Sequence, residues 1–135
     1  MNENLLNKYK KSNYSLHDED GIIEHIFEVL DIREGFFCEF GAWDGKFASN
    51  TYNLVINHHW GGVLIEGDNG RFKELLQTHG ENKKVTCHNG FVGWDPDDSL
   101  DTILEKYNAP VNFDFLSIDI DGNDYHVWDA TTKFK

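Results

Sequence analysis

Acidic residues and glycines at a defined spacing are the first feature of this sequence that could do chemistry. The segment Glu39-Phe40-Gly41-Ala42-Trp43-Asp44-Gly45 has the pattern E-x-G-x-x-x-G. Glycine allows a tight turn and a close approach of the backbone to a ligand. The leading carboxylate suits a ligand with a cationic amino acid end, and the G-x-G-x-x-G pattern of dinucleotide-binding turns is absent. Glycine-containing turns are also common for structural reasons alone, so both interpretations stay open at this point.

A second acidic residue, Glu66, favours the ligand-binding interpretation. It ends the apolar run Val63-Leu64-Ile65, about 20 residues beyond the glycine turn, where a carboxylate can accept hydrogen bonds from both hydroxyls of a ribose. The alternative is a solvated carboxylate at a strand end. The glycine turn and Glu66 together make ribose binding the preferred hypothesis.

A third polar group contains Asp119, Asp121, Asp124 and His126. A carboxylate or an imidazole can accept the proton of a reacting hydroxyl group. Asp119 is the favoured base because it ends a predicted strand beside the first one. For Asp121 and Asp124 the turn interpretation is favoured, since Asp, Gly and Asn are typical turn residues.

A metal site is the other interpretation of these aspartates, because carboxylate oxygens are ligands for Mg²⁺ and Ca²⁺. The spacing lacks the D-x-D-x-D-G pattern of an EF-hand. His58 and His59 are adjacent in the sequence, so they cannot chelate from one helical face. We predict that no metal is required.

Hydrophobic periodicity predicts the elements that position these groups. The predicted strands cover residues 36–40, 63–66, 85–87 and 111–119, and the predicted helices cover 16–30, 51–57, 69–79 with a left-handed cap at Gly80, and 98 or 99 to 109. Strands separated by helices join through right-handed crossovers into a mainly parallel sheet. We therefore expect an α/β, Rossmann-like doubly wound fold with strand order 3-2-1-4, which binds ligands beyond the carboxyl ends of the strands.

Length and charge restrict the class of protein. The 135 residues fit one domain, 1–135, in which residues 1–17 form a polar extension. The 12 basic and 24 acidic residues give a formal charge of −12, which disfavours nucleic acid and anionic membrane surfaces. The N-terminus lacks the apolar core of a signal peptide. We therefore expect a cytoplasmic protein with no membrane partner, whose Cys38 and Cys87 are reduced core residues.

Several motifs in order resemble the FkbM-like branch of the class I S-adenosylmethionine-dependent methyltransferases. Glu39-x-Gly41-x-x-x-Gly45 followed by Ser49-Asn50-Thr51 is similar to the family's cofactor loop, and Gly62-Val63-Leu64-Ile65-Glu66 is similar to its ribose-binding strand. Phe113-Asp114-Phe115-Leu116-Ser117-Ile118-Asp119-Ile120-Asp121-Gly122 resembles its fourth-strand signature. The resemblance covers about residues 18–128.

The resemblance implies that S-adenosylmethionine is the cofactor and that a small molecule or sugar is the acceptor of an O-methylation. Glu39, Gly41 and Gly45 would shape the methionine pocket, Glu66 would bind ribose, and residues 89–92 would lie against adenine. The predicted cofactor-binding residues are Glu39, Gly41, Ala42, Trp43, Asp44, Gly45, Glu66, Gly67, Asn89, Gly90, Phe91 and Asp119, and the predicted catalytic residues are Asp119 and Asp121.

The sequence departs from this family at its end. The family fold continues with three more strands, whereas this sequence stops at Lys135, so we expect a partial domain without the C-terminal strands. Two alternatives therefore stay open, a cofactor-binding domain without turnover and a nicotinamide-dependent oxidoreductase. An uncovered fourth strand would be a template for another chain, which predicts a homodimer through that edge or else poor solubility.

Overall fold

Four parallel strands and five α-helices make up residues 5–134, the part of the chain that the computed structural model describes. In chain order the elements are α1 (Glu19–Val29), β1 (Phe36–Phe40), α2 (Tyr52–His58), β2 (Gly61–Glu66), α3 (Asn69–His79), β3 (Val85–Asn89), α4 (Leu100–Lys106), β4 (Phe115–Ile118) and α5 (Asp124–Ala130). A short 3₁₀ turn, Asn7–Tyr9, precedes α1.

The sheet has the order β3-β2-β1-β4, and each neighbouring pair is parallel. Phe40 is in register with Ile65 of β2 and with Ile118 of β4. The predicted Rossmann-like α/β fold, its parallel sheet and its strand order are thereby confirmed. The register brings the carboxyl ends of β1, β2 and β4 to one edge of the sheet, where such folds bind ligands.

The side chains of β1 alternate between two hydrophobic cores, as the period of two in a strand requires. Phe37 packs with residues of α1, α2 and α3, whereas Cys38 and Phe40 pack with residues of α4 and α5. Helices therefore cover both faces of the sheet. Cys38 is a fully buried free thiol whose pKa is raised by burial, and Cys87 is a half-buried free thiol. Both cysteines are core residues, as predicted.

The segment before α1 is packed against the fold. Asp20 is buried in α1, and its Oδ2 accepts hydrogen bonds from the backbone N–H groups of Asn13 (2.8 Å), Tyr14 (2.6 Å) and Ser15 (2.9 Å). These bonds hold the chain just before Leu16, which reaches the edge of the sheet where β1 ends. The described part of the predicted polar extension therefore contributes to the fold and to that edge.

The structure differs from the prediction at several points, beginning with helices α1 and α4, which are shorter than predicted. Gly80 has right-handed backbone angles, φ −58° and ψ −24°, because its N–H still donates to the Leu76 carbonyl at 2.8 Å. The fourth strand covers Phe115–Ile118 rather than 111–119, since Val111 lies in exposed chain before the sheet begins. Helix α5, which follows this strand, was not predicted.

None of the helices in residues 5–134 has the length and apolar character needed to cross a bilayer.

Candidate functional site

A cleft of about 710 Å³ lies beyond the carboxyl ends of β1, β2 and β4. The loops that follow each of these strands form its walls, and the loop after β3 closes one side. Most of the predicted site residues meet here, namely Glu39, Gly41, Ala42, Trp43, Glu66, Gly67, Gly90, Phe91, Asp119 and Asp121. Residues distant in sequence thus share one concave surface because four parallel strands end together.

Glu39 is a buried carboxylate, only 4% exposed, on the cleft side of β1. Its Oε2 accepts hydrogen bonds from Ser49 Oγ (2.8 Å) and Thr51 Oγ1 (2.6 Å), and its Oε1 accepts one from the Asn50 backbone N–H (3.0 Å). Burial raises the pKa of Glu39 and the charge of Asp119 adds to this, while the three hydrogen bonds oppose it. No lysine or arginine within residues 5–134 forms an ion pair with Glu39. Glu39 is therefore a buried acid without a cationic partner.

The two glycines of the turn after β1 are surrounded by protein. Gly41 has φ +79°, and a Cβ at this position would overlap the backbone carbonyl oxygen of Asp119. Gly45 has φ +68°, and a Cβ there would lie 2.6 Å from side-chain atoms of His79 and Leu75 in α3. Gly41 thus lets the loops after β1 and β4 approach each other. Gly45 packs against α3 and is not among the residues that line the cleft.

Glu66 joins the loops that follow β1 and β2. It is 6% exposed, and its Oε2 accepts from the Trp43 backbone N–H at 2.8 Å while its Oε1 accepts from the Asp68 backbone N–H at 2.7 Å. A carboxylate has about four lone-pair positions, so each oxygen keeps acceptor capacity. Glu66 can therefore hold both loops and accept hydrogen bonds from a vicinal diol in the cleft.

Two further predicted residues support loops without lining the cleft. Asp44 Oδ1 accepts from the backbone N–H groups of Lys46 (2.9 Å) and Phe47 (2.7 Å), so its carboxylate closes the turn. Asn89 is exposed and its amide donates to Asn69 Oδ1 at 3.1 Å. The structure places these side chains beside the site, and neither belongs to its lining.

Aromatic side chains form the rim of the cleft. The Trp43 indole donates to Glu74 Oε2 at 3.0 Å, and the Arg71 guanidinium lies 4.2 Å from the centre of its ring. Phe47, Phe91 and Trp94 are exposed on the same rim. These flat apolar surfaces, open to solvent, suit the stacking of a planar ligand.

The sequence analysis missed several residues of the lining, chiefly Leu16, Phe47, Arg71 and Trp94. The position of Trp94 in the sequence could have identified it, because it follows closely on the third strand and the loops after parallel strands form the binding edge. Nothing in the sequence indicated that Leu16, which precedes the first helix, would reach this edge.

The aspartates after β4 separate into two roles. Asp119 lines the cleft, and its pKa is raised by partial burial and by the charges of Asp121 and Asp124. Asp124 Oδ1 accepts from the Ile120 N–H (3.1 Å) and its Oδ2 from the Gly122 N–H (2.9 Å), and these bonds lower its pKa. The turn interpretation is therefore correct for Asp124, while Asp119 and Asp121 both face the cleft. Among the described residues, no three His, Cys, Asp or Glu side chains are grouped so that they could hold a metal ion.

Comparisons of the chain with models of protein families, with curated proteins and with solved structures found no match.

Proposed function

We propose that the chain binds S-adenosylmethionine in this cleft and acts as a methyltransferase similar to the FkbM-like branch, with a hydroxyl group of a small molecule or sugar as the acceptor. One observation carries the proposal. Two buried carboxylates, Glu39 and Glu66, lie near the carboxyl ends of adjacent parallel strands and line the same cleft. Their positions suit two groups of the cofactor, the ammonium of its methionine part and the hydroxyls of its ribose.

The charge of the cleft supports a cationic ligand. Its lining contains four carboxylates, Glu39, Glu66, Asp119 and Asp121, and one basic side chain, Arg71, which is stacked on Trp43. A ligand with an ammonium and a sulfonium group would supply the positive charge that this surface lacks. The pyrophosphate of a nicotinamide dinucleotide would be repelled, because like charges raise the free energy of binding.

The residues of the cleft would act mainly by orienting the cofactor and the acceptor relative to each other. When bound, the cofactor supplies an electrophilic methyl group, and in-line alignment of the acceptor accounts for much of the acceleration of such a transfer. A hydroxyl acceptor also needs a base. Asp119 and Asp121 are the carboxylates at the end of the cleft where β1 and β4 meet, and they are the candidate bases within the cleft itself.

The same proposal places the protein in the cytoplasm. Cys38 and Cys87 are both free thiols, and cysteines stay reduced in that compartment.

Two matched alanine variants test the cofactor site. Glu66→Ala and Asp68→Ala each remove a carboxylate that accepts two backbone hydrogen bonds, and only Glu66 lines the cleft. Loss of a charged acceptor for two ribose hydroxyls costs about 1.5 to 3 kcal/mol. In titration calorimetry with S-adenosylhomocysteine, Glu66→Ala should therefore bind about 10- to 150-fold more weakly, and Asp68→Ala should bind as the parent does.

Circular dichroism of both variants would show whether the fold is retained, and Glu66→Gln, which keeps one acceptor oxygen, is the milder substitution if it is not. Titration with NAD⁺ on the parent chain tests the oxidoreductase alternative. Parental affinity of the Glu66 variants for S-adenosylhomocysteine, or tight binding of NAD⁺, would refute the proposed function.

A further inference from the structure

A second cavity adjoins the cofactor cleft. It has a volume of about 490 Å³ and is lined by Trp94, Asn123, His126, Asp129 and Ala130. Trp94 and Asn123 also line the first cleft, so the two spaces meet at these side chains. A molecule in the second cavity would therefore lie next to a molecule in the first.

One face of α5 forms a wall of this cavity. Asn123, His126 and Asp129 follow one another at intervals of three residues, which places their side chains on the same side of a helix. The helix is held at its N-terminus by Asp124, which binds the preceding turn, and at its middle by the buried Val127, which packs in the core. The polar groups on this wall are thus positioned by the fold.

A second, adjoining wall is Trp94, whose loop is also held in place. The Gly93 N–H donates to the Asp98 carbonyl at 2.9 Å, and the Asp95 N–H donates to Asp98 Oδ1 at 3.2 Å. The ring centres of Trp94 and His126 are 5.7 Å apart and their planes are tilted by 58°. A flat apolar surface and an imidazole therefore face the same space.

We infer that this second cavity is the acceptor subsite, that it takes a hydroxylated ring compound stacked on Trp94, and that His126 is the base that accepts the hydroxyl proton. The inference rests on the proposed function, because only a bound methyl donor in the first cleft gives the second cavity a reaction partner.

The reaction step balances with the groups named. The acceptor oxygen forms a bond to the methyl carbon while its O–H proton passes to the neutral imidazole of His126. The bond between methyl carbon and sulfur breaks, and its electron pair stays on sulfur, which becomes a neutral thioether. His126 is exposed, so the imidazolium can release the proton to water.

Three observations favour His126 over Asp119 and Asp124. Asp124 is occupied by two backbone N–H groups. Asp119 lines only the first cleft, where its negative charge would lie beside the cationic cofactor. For His126, the described residues supply two ring contacts, from Trp94 and Tyr125, and no hydrogen-bond partner for the imidazole nitrogens.

The walls also indicate the class of acceptor. A ring with one apolar face would stack on Trp94, and hydroxyl groups at its edge would meet the amide of Asn123 and the imidazole of His126. Both a pyranose and a phenol have this combination. The net negative charge of the neighbouring cleft disfavours an acceptor that is itself anionic.

The test uses the full chain, ³H-methyl-labelled S-adenosylmethionine and two probes, methyl α-D-glucopyranoside and catechol. Binding of S-adenosylhomocysteine is first measured for every variant by calorimetry. His126→Gln should lower the rate of methyl transfer by about 10²- to 10⁴-fold, the usual contribution of a general base, and should leave the affinity for S-adenosylhomocysteine unchanged. Asp119→Asn is the comparison that tests the competing base.

Trp94→Ala and Trp128→Ala are matched variants, because both indoles are 52% exposed and only Trp94 lines the cavity. Trp94→Ala should raise the KM of the methylated probe about 2- to 13-fold, in line with the loss of one aromatic stacking contact. Trp94→Phe should keep the KM close to the parental value, and Trp128→Ala should leave the KM unchanged. The probe that is methylated decides between a pyranose and a phenol.

The outcomes separate the two proposals. If the parent chain fails to bind S-adenosylhomocysteine, the proposed function itself is wrong. If S-adenosylhomocysteine binds but neither probe is methylated, or if Asp119→Asn abolishes transfer while His126→Gln does not, the acceptor subsite is wrong and the cofactor site stands.

Discussion

Replacing Glu39 by glutamine should remove a charge from the site and leave the loop around it intact. The amide oxygen of glutamine can accept from the Asn50 N–H, and its NH₂ group can donate to Thr51 Oγ1, because a hydroxyl group serves as donor or acceptor. Ser49 keeps its bonds to the backbone N–H groups of Thr51 and Tyr52. The substitution therefore changes charge with little change in geometry.

The stability of the unliganded chain should then respond to pH in a defined direction. Burial raises the pKa of Glu39 above its ordinary value of 4.5. A carboxyl group with a raised pKa contributes its full stabilisation below the ordinary value, and this is lost as the pH rises through the pKa of the folded state. The Glu39→Gln variant cannot ionise, so it should be as stable as the parent in acid and more stable than the parent at neutral pH.

Affinity for the cofactor should change in the opposite direction. A hydrogen bond between a charged donor and a buried carboxylate is worth about 1.5 to 3 kcal/mol, so S-adenosylhomocysteine should bind Glu39→Gln about 10- to 150-fold more weakly. Thermal unfolding between pH 4 and 8 measures the first effect and calorimetry measures the second.

Asp101→Asn is the matched control for this variant. The Asp101 carboxylate accepts hydrogen bonds from Thr132, Lys133 and Phe134, away from the cleft. Its substitution removes the same formal charge and should not change the affinity for S-adenosylhomocysteine. A Glu39→Gln variant with parental affinity and a parental pH profile would show that Glu39 only holds the loop.

Two further predictions concern the loop after β1 and the free edge of the sheet at β4. Gly41→Ala should lower the free energy of unfolding by more than about 2 kcal/mol, because a Cβ would overlap the Asp119 carbonyl. Gly122 is also at positive φ but lies in open space, so Gly122→Ala should cost less stability. Equal losses in urea denaturation would show that the overlap is unimportant. The free edge of β4, which pairs only with β1 in the described sheet, predicts a homodimer through antiparallel edge pairing. Light scattering that finds a monomer at high micromolar concentration would contradict the dimer.

Hydrophobic patterning was sufficient to predict the sheet. The strands around Cys38, Leu64 and Cys87 are short apolar runs separated by helical spacing, and that alternation permits few topologies. The fourth strand was predicted too long because Val111 and Phe113 are apolar without belonging to the sheet. Helix α5 was missed because it is short and only Val127 on it is fully buried, which leaves almost no periodic signal.

The site was predictable where it depended on strand ends. Glu39, Glu66 and Asp119 each lie at or next to the carboxyl end of a strand, so the topology alone brings them together. Loop residues depend on backbone angles that the sequence does not reveal. Trp43 has φ +50° and Ala48 has φ +55°, and such angles decide that Trp43 faces the cleft while Asp44 and Gly45 face away from it.

The central claim, that this edge of the sheet holds S-adenosylmethionine, is tested most directly by an amide ¹H–¹⁵N spectrum of the labelled chain during titration with S-adenosylhomocysteine. We predict saturable shifts at Gly41, Gly67 and Gly90, at the carboxyl ends of β1, β2 and β3. Absence of shifts at millimolar ligand would contradict it. So would shifts confined to the cavity between Glu24 and His58, which lies near the amino ends of β1 and β2.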